Sequence, residues 1–192
     1  SVDFGEFVVL KEKRDWDTQG RLLAEEARRL EYAGADFIIL ATNTMHKMAD
    51  RIEAAIDIPF LHLADATALR VKAAGFEKVA LLGTRYTMTL DFYKDRLKAV
   101  GIEPLMPDPQ GIERVSDIIY EELCQGRIEP ESRKIYQEII ADLAAQGAQG
   151  VILGCTEITL LIGPEHVDIP VFDTTAIHIE DALDYALEDI AA

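Results

Sequence analysis

Short apolar runs alternate along this chain with longer stretches whose apolar residues recur every three or four positions. The runs at 37–40, 58–63, 79–83, 151–153 and 169–172 have the length and branched apolar content of strands, and 1–4 is a candidate first strand. Helical periodicity covers about 18–33, 45–55, 66–74, 90–100, 112–125, 131–146 and 176–190. Gly34, Gly75, Gly101 and Gly147 fall just past such helices, where a left-handed cap favours glycine. Apolar strands alternating with helices predict an α/β fold with a largely parallel sheet.

One pattern is written twice. AGADFIILATNT (33–44) aligns without gaps on QGAQGVILGCTE (146–157), at a constant shift of 113 residues from Thr42 to Cys155. Each copy leads, through a helix-sized stretch, to a second strand opening Ile-Pro: DIPFLHLADAT (57–67) and DIPVFDTTAIH (168–178). Strand–helix units resemble one another in general, but a shared Gly-Ala, polar turn and Ile-Pro strand go beyond that. The repeat predicts two related lobes with pseudo-two-fold symmetry and a shared cleft.

Both copies end their strand in a knot of polar residues. In open α/β sheets ligands bind beyond the carboxyl ends of strands, where helix N-termini offer unpaired amides. Asn43-Thr44 and Thr156-Glu157 take that place and are expected to open helices, with amides and hydroxyls suited to a carboxylate. These residue types are also ordinary helix caps, which use the same geometry. Thr42 and Cys155 are equivalent under the repeat and would approach a shared site from opposite sides. Two acid/base groups on opposite faces of one carbon are what inversion of a stereocentre requires. A helix N-terminus lowers a thiol's pKa, so a reactive thiolate at Cys155 is expected; the plainer reading is a buried structural cysteine.

TNTMH after the first strand and GCTE after its counterpart resemble the paired signatures of the aspartate/glutamate racemase family. LLGTRYT (81–87), the Ile-Pro strands and the 113-residue spacing fit as well, so the resemblance covers nearly the whole chain. It implies two pseudosymmetric α/β lobes with the active site in the cleft between them, and racemisation without pyridoxal phosphate, other cofactor or metal. The implied lobes are 1–66 with 174–192, and 67–173. Catalysis falls to Thr42 and Cys155, and substrate binding to Asn43, Thr44, Thr156, Glu157, Thr84 and Thr87. Glu157 is also placed to orient the thiol or accept its proton. Family members mostly carry cysteine in both knots, whereas Thr42 stands in the first here. They also begin with a strand and glycine-rich turn that nothing before Ser1 supplies, so the chain is expected to start one strand–helix unit late.

A threonine is a poor base but can relay a proton to a carbanion. In the family the second cysteine serves the L-enantiomer, so an L-selective aspartate/glutamate racemase is expected. Two alternatives stay open: a decarboxylase of the same superfamily, which keeps only the second cysteine, and a non-catalytic amino-acid-binding protein.

Composition adjusts this picture little. The 192 residues are 49% hydrophobic and 28% charged, enough for a sizeable core, and no apolar run has the roughly 18 residues a membrane helix needs. A net charge of −16 opposes nucleic-acid or acidic-membrane binding but says little about the substrate; the small-molecule amino-acid partner is what the resemblance implies. The cation for a distal carboxylate is sought in KEKR (11–14), with Lys11 the choice within what is otherwise a solvated cluster. Cys124 reads as a helix-face residue, and both cysteines as reduced in a cytoplasmic protein. His46, His62, His166 and His178 lack metal-ligand spacing, so no metal is expected. The resemblance implies a homodimer.

Overall fold

The computed structural model describes residues 2–188. The chain divides into two compact units, Ser1–Leu40 with Met45–His62, and Ala41–Thr44 with Leu63–Ala192. The smaller holds helices α1 (Phe4–Glu12) and α2 (Trp16–Tyr32), strand β1 (Ile38–Ile39), helix α3 (Ala49–Glu53) and strand β2 (Phe60–Leu61). Asp3 accepts the Glu6 amide over 2.8 Å, an N-cap that starts a helix where a first strand was expected at 1–4. Val2 and Asp3 belong to no strand, and Ser1 lies outside the described residues. Lys11 therefore sits within α1, buried, and not in a solvated loop after a strand. β1 and β2 pair in parallel, Ile38 against Phe60 and Ile39 against Leu61. Ile38 joins Phe7, Leu23, Ala27, Met48 and Ile52 in the core. Ile39 is 41% exposed, so this run is covered on one face only and is not the buried strand its composition suggests.

The larger unit begins with α4 (Leu63–Ala73), then β3 (Lys78–Gly83), α5 (Arg85–Thr89), α6 (Asp91–Ala99) and β4 (Glu103–Leu105). There follow α7 (Pro109–Asp117), α8 (Pro130–Ala145), β5 (Val151–Gly154), β6 (Val171–Asp173) and α9 (Thr174–Glu188). Its four strands are all parallel, in the order β4-β3-β5-β6. Side chains alternate across the sheet as strand geometry demands. Ala80, Leu82, Val151 and Leu153 meet Val115, Ile119, Tyr136 and Ile140 on one face. Val79, Leu81, Ile152 and Phe172 meet Ala64, Val71, Tyr93 and Leu97 on the other. Each fully buried Leu there is worth about 1.5–3 kcal/mol in removal from water.

This is the α/β architecture of parallel strands flanked by helices that the alternation predicts. The sequence reading has no counterpart to β4, because Pro104 interrupts it; β4 lies at the sheet edge, where a missing donor is tolerated. The expected helix 112–125 changes pitch, passing from α7 through a π-helical turn (Ile118–Glu122) to a 3-10 turn (Leu123–Gln125). Gly34, Gly75, Gly101 and Gly147 all take positive φ, as helix-terminating glycines should. Helix α9 packs along α4, both in the larger unit, whereas the lobes expected from the resemblance put 174–192 with the first. The expected end of α9 at 190 lies outside the described residues. Among those described, no helix is long and apolar enough to cross a membrane.

Candidate active site

The sheet order places its topological switch point between β3 and β5. The chain leaves β3 toward β4 on one side, then crosses back to lay β5 on the other. At such a point the loops after the two strands part and leave a crevice at their carboxyl ends. Gly83 pairs with Gly154 and Leu153 with Asp173, so Thr84, Cys155 and Thr174 leave the sheet together at one edge. The paired glycines are required there. A Cβ on Gly83 would stand 2.7 Å from the Gly154 carbonyl oxygen, and one on Gly154 2.9 Å from that of Leu82.

Beyond Gly154 the thiol of Cys155 donates to Glu157 Oε2 over 3.0 Å, and the Thr156 hydroxyl donates to the same oxygen over 2.7 Å. Cys155 is 7% exposed. Burial pushes its thiol well above the ordinary range, and the Glu157 charge and hydrogen bond push the same way. The expected helix at this knot is only a three-residue 3-10 turn, Ile158–Leu160. A helix dipole strong enough to lower the thiol is therefore lacking, and the resting group is a protonated thiol in place of the expected thiolate. The first knot likewise opens a 3-10 turn, Thr44–Met48, before α3.

The first knot's residues 41–44 group with this larger unit. Thr42 is half-buried. Asn43 Nδ2 donates to Thr174 Oγ1 over 3.1 Å, and Thr174 donates on to the Leu153 carbonyl over 2.9 Å. That chain ties the first knot to the strand carrying the second. Among the described residues Asn43 Oδ1 is buried without a hydrogen-bond partner, an acceptor left open at a cost of about 1–3 kcal/mol. Thr44 Oγ1 lies 2.9 Å from Thr84 Oγ1 and 3.5 Å from Thr87 Oγ1, and these two are 3.3 Å apart. Thr84 also caps α5 by accepting the Thr87 amide.

The structure thus brings Asn43, Thr44, Thr84 and Thr87 into buried hydrogen-bonded contacts, and Cys155 and Thr156 onto Glu157. Lys11 lies in the smaller unit and joins none of these bonds. Cys124 is exposed, and neither cysteine is in a disulfide. His46 and His62 meet edge to face in the smaller unit, ring centroids 4.5 Å apart; among the described residues no three His, Cys, Asp or Glu side chains group as metal ligands. The sequence reading lacks one residue of this neighbourhood, Thr174, which was signalled by its place after an apolar strand, like Thr84 and Cys155.

A parallel α/β sheet that carries a thiol–carboxylate contact and clustered hydroxyls at its switch point is a candidate site for a small polar ligand. The chain belongs to the Asp/Glu/hydantoin racemase family, whose model matches residues 2–182. The protein is accordingly an isomerase, a racemase of the class that works without a cofactor. It is 54% identical to a Yersinia pestis protein provisionally assigned as an Asp/Glu racemase, with a TM-score of 0.91 over 97% of this chain and 82% of that one. An aspartate racemase homologue from Pyrococcus horikoshii OT3 is 35% identical, with a TM-score of 0.85 over 97% of this chain and 81% of its own. The broad specificity amino-acid racemase RacX of Bacillus subtilis (strain 168) is 27% identical over 164 residues, 84% of this chain and 70% of that protein.

Proposed function

We propose that this racemase acts on aspartate, glutamate or both, beginning its chemistry from the L-enantiomer. The observation that carries the reading is the buried Cys155 thiol hydrogen-bonded to the Glu157 carboxylate. Glu157 takes the thiol proton, the thiolate removes the α-proton of the L-amino acid, and the Thr42 hydroxyl delivers a proton to the opposite face. A threonine hydroxyl can protonate a carbanion but is far too weakly acidic to supply a resting base. The two faces are therefore served unequally.

A bound amino acid would complement these groups. Its ammonium group would offset the Glu157 charge and suits the open acceptor Asn43 Oδ1. Its carboxylates suit the Thr44, Thr84 and Thr87 hydroxyls and Thr156, and Lys11 remains the proposed cation for the distal carboxylate. Thr42 and Cys155 are equivalent under the 113-residue repeat, which supports the pseudosymmetric two-lobe arrangement as part of this reading. The resemblance alone supports a cytoplasmic homodimer; the two free cysteines agree with a reducing compartment.

A broader amino-acid range is a second reading, favoured by the similarity to RacX. Following optical rotation with L-aspartate, L-glutamate, L-lysine and L-arginine separates the two. Decay with the acidic pair alone is expected. Equal decay with all four supports the broader range. No decay with any, but carbon dioxide release from a disubstituted malonate, would replace racemisation by decarboxylation.

A further inference from the structure

Thr174 stands where β6 passes into α9, buried between the first knot and the strand that carries the second. Its hydroxyl makes two hydrogen bonds, donating to the Leu153 carbonyl over 2.9 Å and accepting from Asn43 Nδ2 over 3.1 Å. A carbonyl oxygen can only accept, so the one proton of the Thr174 hydroxyl goes to Leu153. What Oγ1 then shows to Asn43 is lone pairs, which only a donor can meet. With its amide turned over, Asn43 would set Oδ1 against those lone pairs with no proton between the two oxygens. The alternative would draw the Thr174 proton away from the Leu153 carbonyl. The amide is therefore held with its NH2 group toward Thr174, and Oδ1 is turned away from it. That oxygen is buried, and among the described residues it has no hydrogen-bond partner.

We propose that Thr174 is a positioning residue that fixes the Asn43 amide, so that the site meets its ligand with an acceptor and selects acids bearing an ammonium group at the α-carbon over acids that lack one. An amide oxygen attracts an ammonium and repels a carboxylate. The next residue has the opposite capacity: Thr44, with Thr84 and Thr87 within 2.9–3.5 Å of it, carries hydroxyls that can donate to a carboxylate. Asn43 and Thr44 thus read the two charged groups of one α-carbon separately, and a ligand carrying both fits in one orientation. If Thr174 lost its hydroxyl, the amide could turn over and present NH2 to the ammonium.

This inference rests on the racemase reading for the class of ligand, but binding tests it separately. Succinate, which has no amine, and DL-aspartate, whose composition turnover cannot change, are titrated into the full chain. The amine preference is the ratio of the two Kd values. The same titrations are made on Thr174→Val, Thr174→Ser, Asn43→Ala and Thr174→Val/Asn43→Ala, with thermal unfolding to identify any variant that fails to fold. Thr174→Val is expected to lower the preference about five- to tenfold, the worth of one hydrogen bond, while Thr174→Ser keeps it. The double variant should show a preference no lower than that of Asn43→Ala, because both changes remove the same acceptor. A folded Thr174→Val that weakens both ligands alike, or neither, would overturn the proposal, as would additive losses or a wild type without an amine preference. NMR of the wild type reads the lock without any substitution. The Asn43 side-chain amide protons should show nuclear Overhauser contacts to Thr174 with and without DL-aspartate, and contacts to the ligand in their place would overturn the lock. The expected binding pattern without racemisation would sustain the lock and overturn the racemase substrate assignment; racemisation of aspartate without an amine preference would do the reverse.

Discussion

The Cys155 thiol donates to the Glu157 carboxylate across 3.0 Å, and burial together with that contact holds the thiol protonated at rest while leaving its proton an acceptor. It predicts a thiol that ionises late. In a Cys124→Ser background, which removes the exposed thiol, alkylation of Cys155 by iodoacetamide should rise with pH about a midpoint above the ordinary value of about 8.5. Glu157→Gln keeps an acceptor but removes the charge, and should move the midpoint down. Mass spectrometry of the modified protein reads both; a wild-type midpoint below 8.5 would show the opposite electrostatics.

The same shift makes stability fall in alkali. The unfolded chain releases the Cys155 proton near pH 8.5, while the folded chain retains it to higher pH, so the folded state binds more protons in that window. Stability should decline with a slope of at most about 1.4 kcal/mol per pH unit from this group. Tyr93, Tyr120 and Tyr136 are raised as well, and they add to the decline as pH approaches the unfolded tyrosine value of about 10. The difference between wild type and Cys155→Ser in urea unfolding between about pH 8 and 9 therefore reads the thiol, and the substitution should reduce the decline there.

Gly83→Ala tests the floor of the site. The added methyl meets the Gly154 carbonyl at 2.7 Å and the Thr87 side chain at 3.0 Å, so strand and cap must shift together. A loss of about 1–3 kcal/mol is expected in chemical denaturation. An unchanged midpoint would mean that the two strand ends are not held as close as they stand here.

Thr174→Val should cost more stability than Asn43→Ala. The valine leaves both the Asn43 amide and the Leu153 carbonyl without their partner, whereas the alanine removes one donor together with an acceptor that is already unmet. About 1–3 kcal/mol is expected for the first and less for the second, from paired unfolding curves. The reverse order would contradict the direction of this chain.

Much of this was legible in the sequence because it is periodic or punctuated. The strand cores of the larger sheet and the capping glycines are statements about alternation and φ, and they survive in the structure. What was not legible depends on contacts between segments remote in sequence. The thiol's ionisation turns on its burial and on Glu157, and it is followed by a 3-10 turn too short to act as a helix end, which apolar spacing at Ile158 and Leu161 cannot distinguish from a helix. The π-turn at Ile118–Glu122 was not legible either, because a single inserted residue barely disturbs a helical pattern. Lys11 misleads for a related reason: a charged run suggests solvent, yet the Asp3 cap sets a helix phase that buries its first lysine.

The most direct measurement is deuterium uptake at the α-carbon in heavy water. The two enantiomers are equal in free energy, so kcat/KM must be the same from either side and net racemisation alone cannot reveal the asymmetry. Exchange with retention can. L-aspartate should gain deuterium in the recovered L pool faster than it inverts, because Cys155 can return a solvent-derived deuteron to the face it deprotonated, and Cys155→Ala should abolish this. D-aspartate should show no uptake in the recovered D pool beyond that which accompanies inversion, and Thr42→Cys should introduce it. Equal uptake with retention from both enantiomers in the wild-type protein would contradict the account.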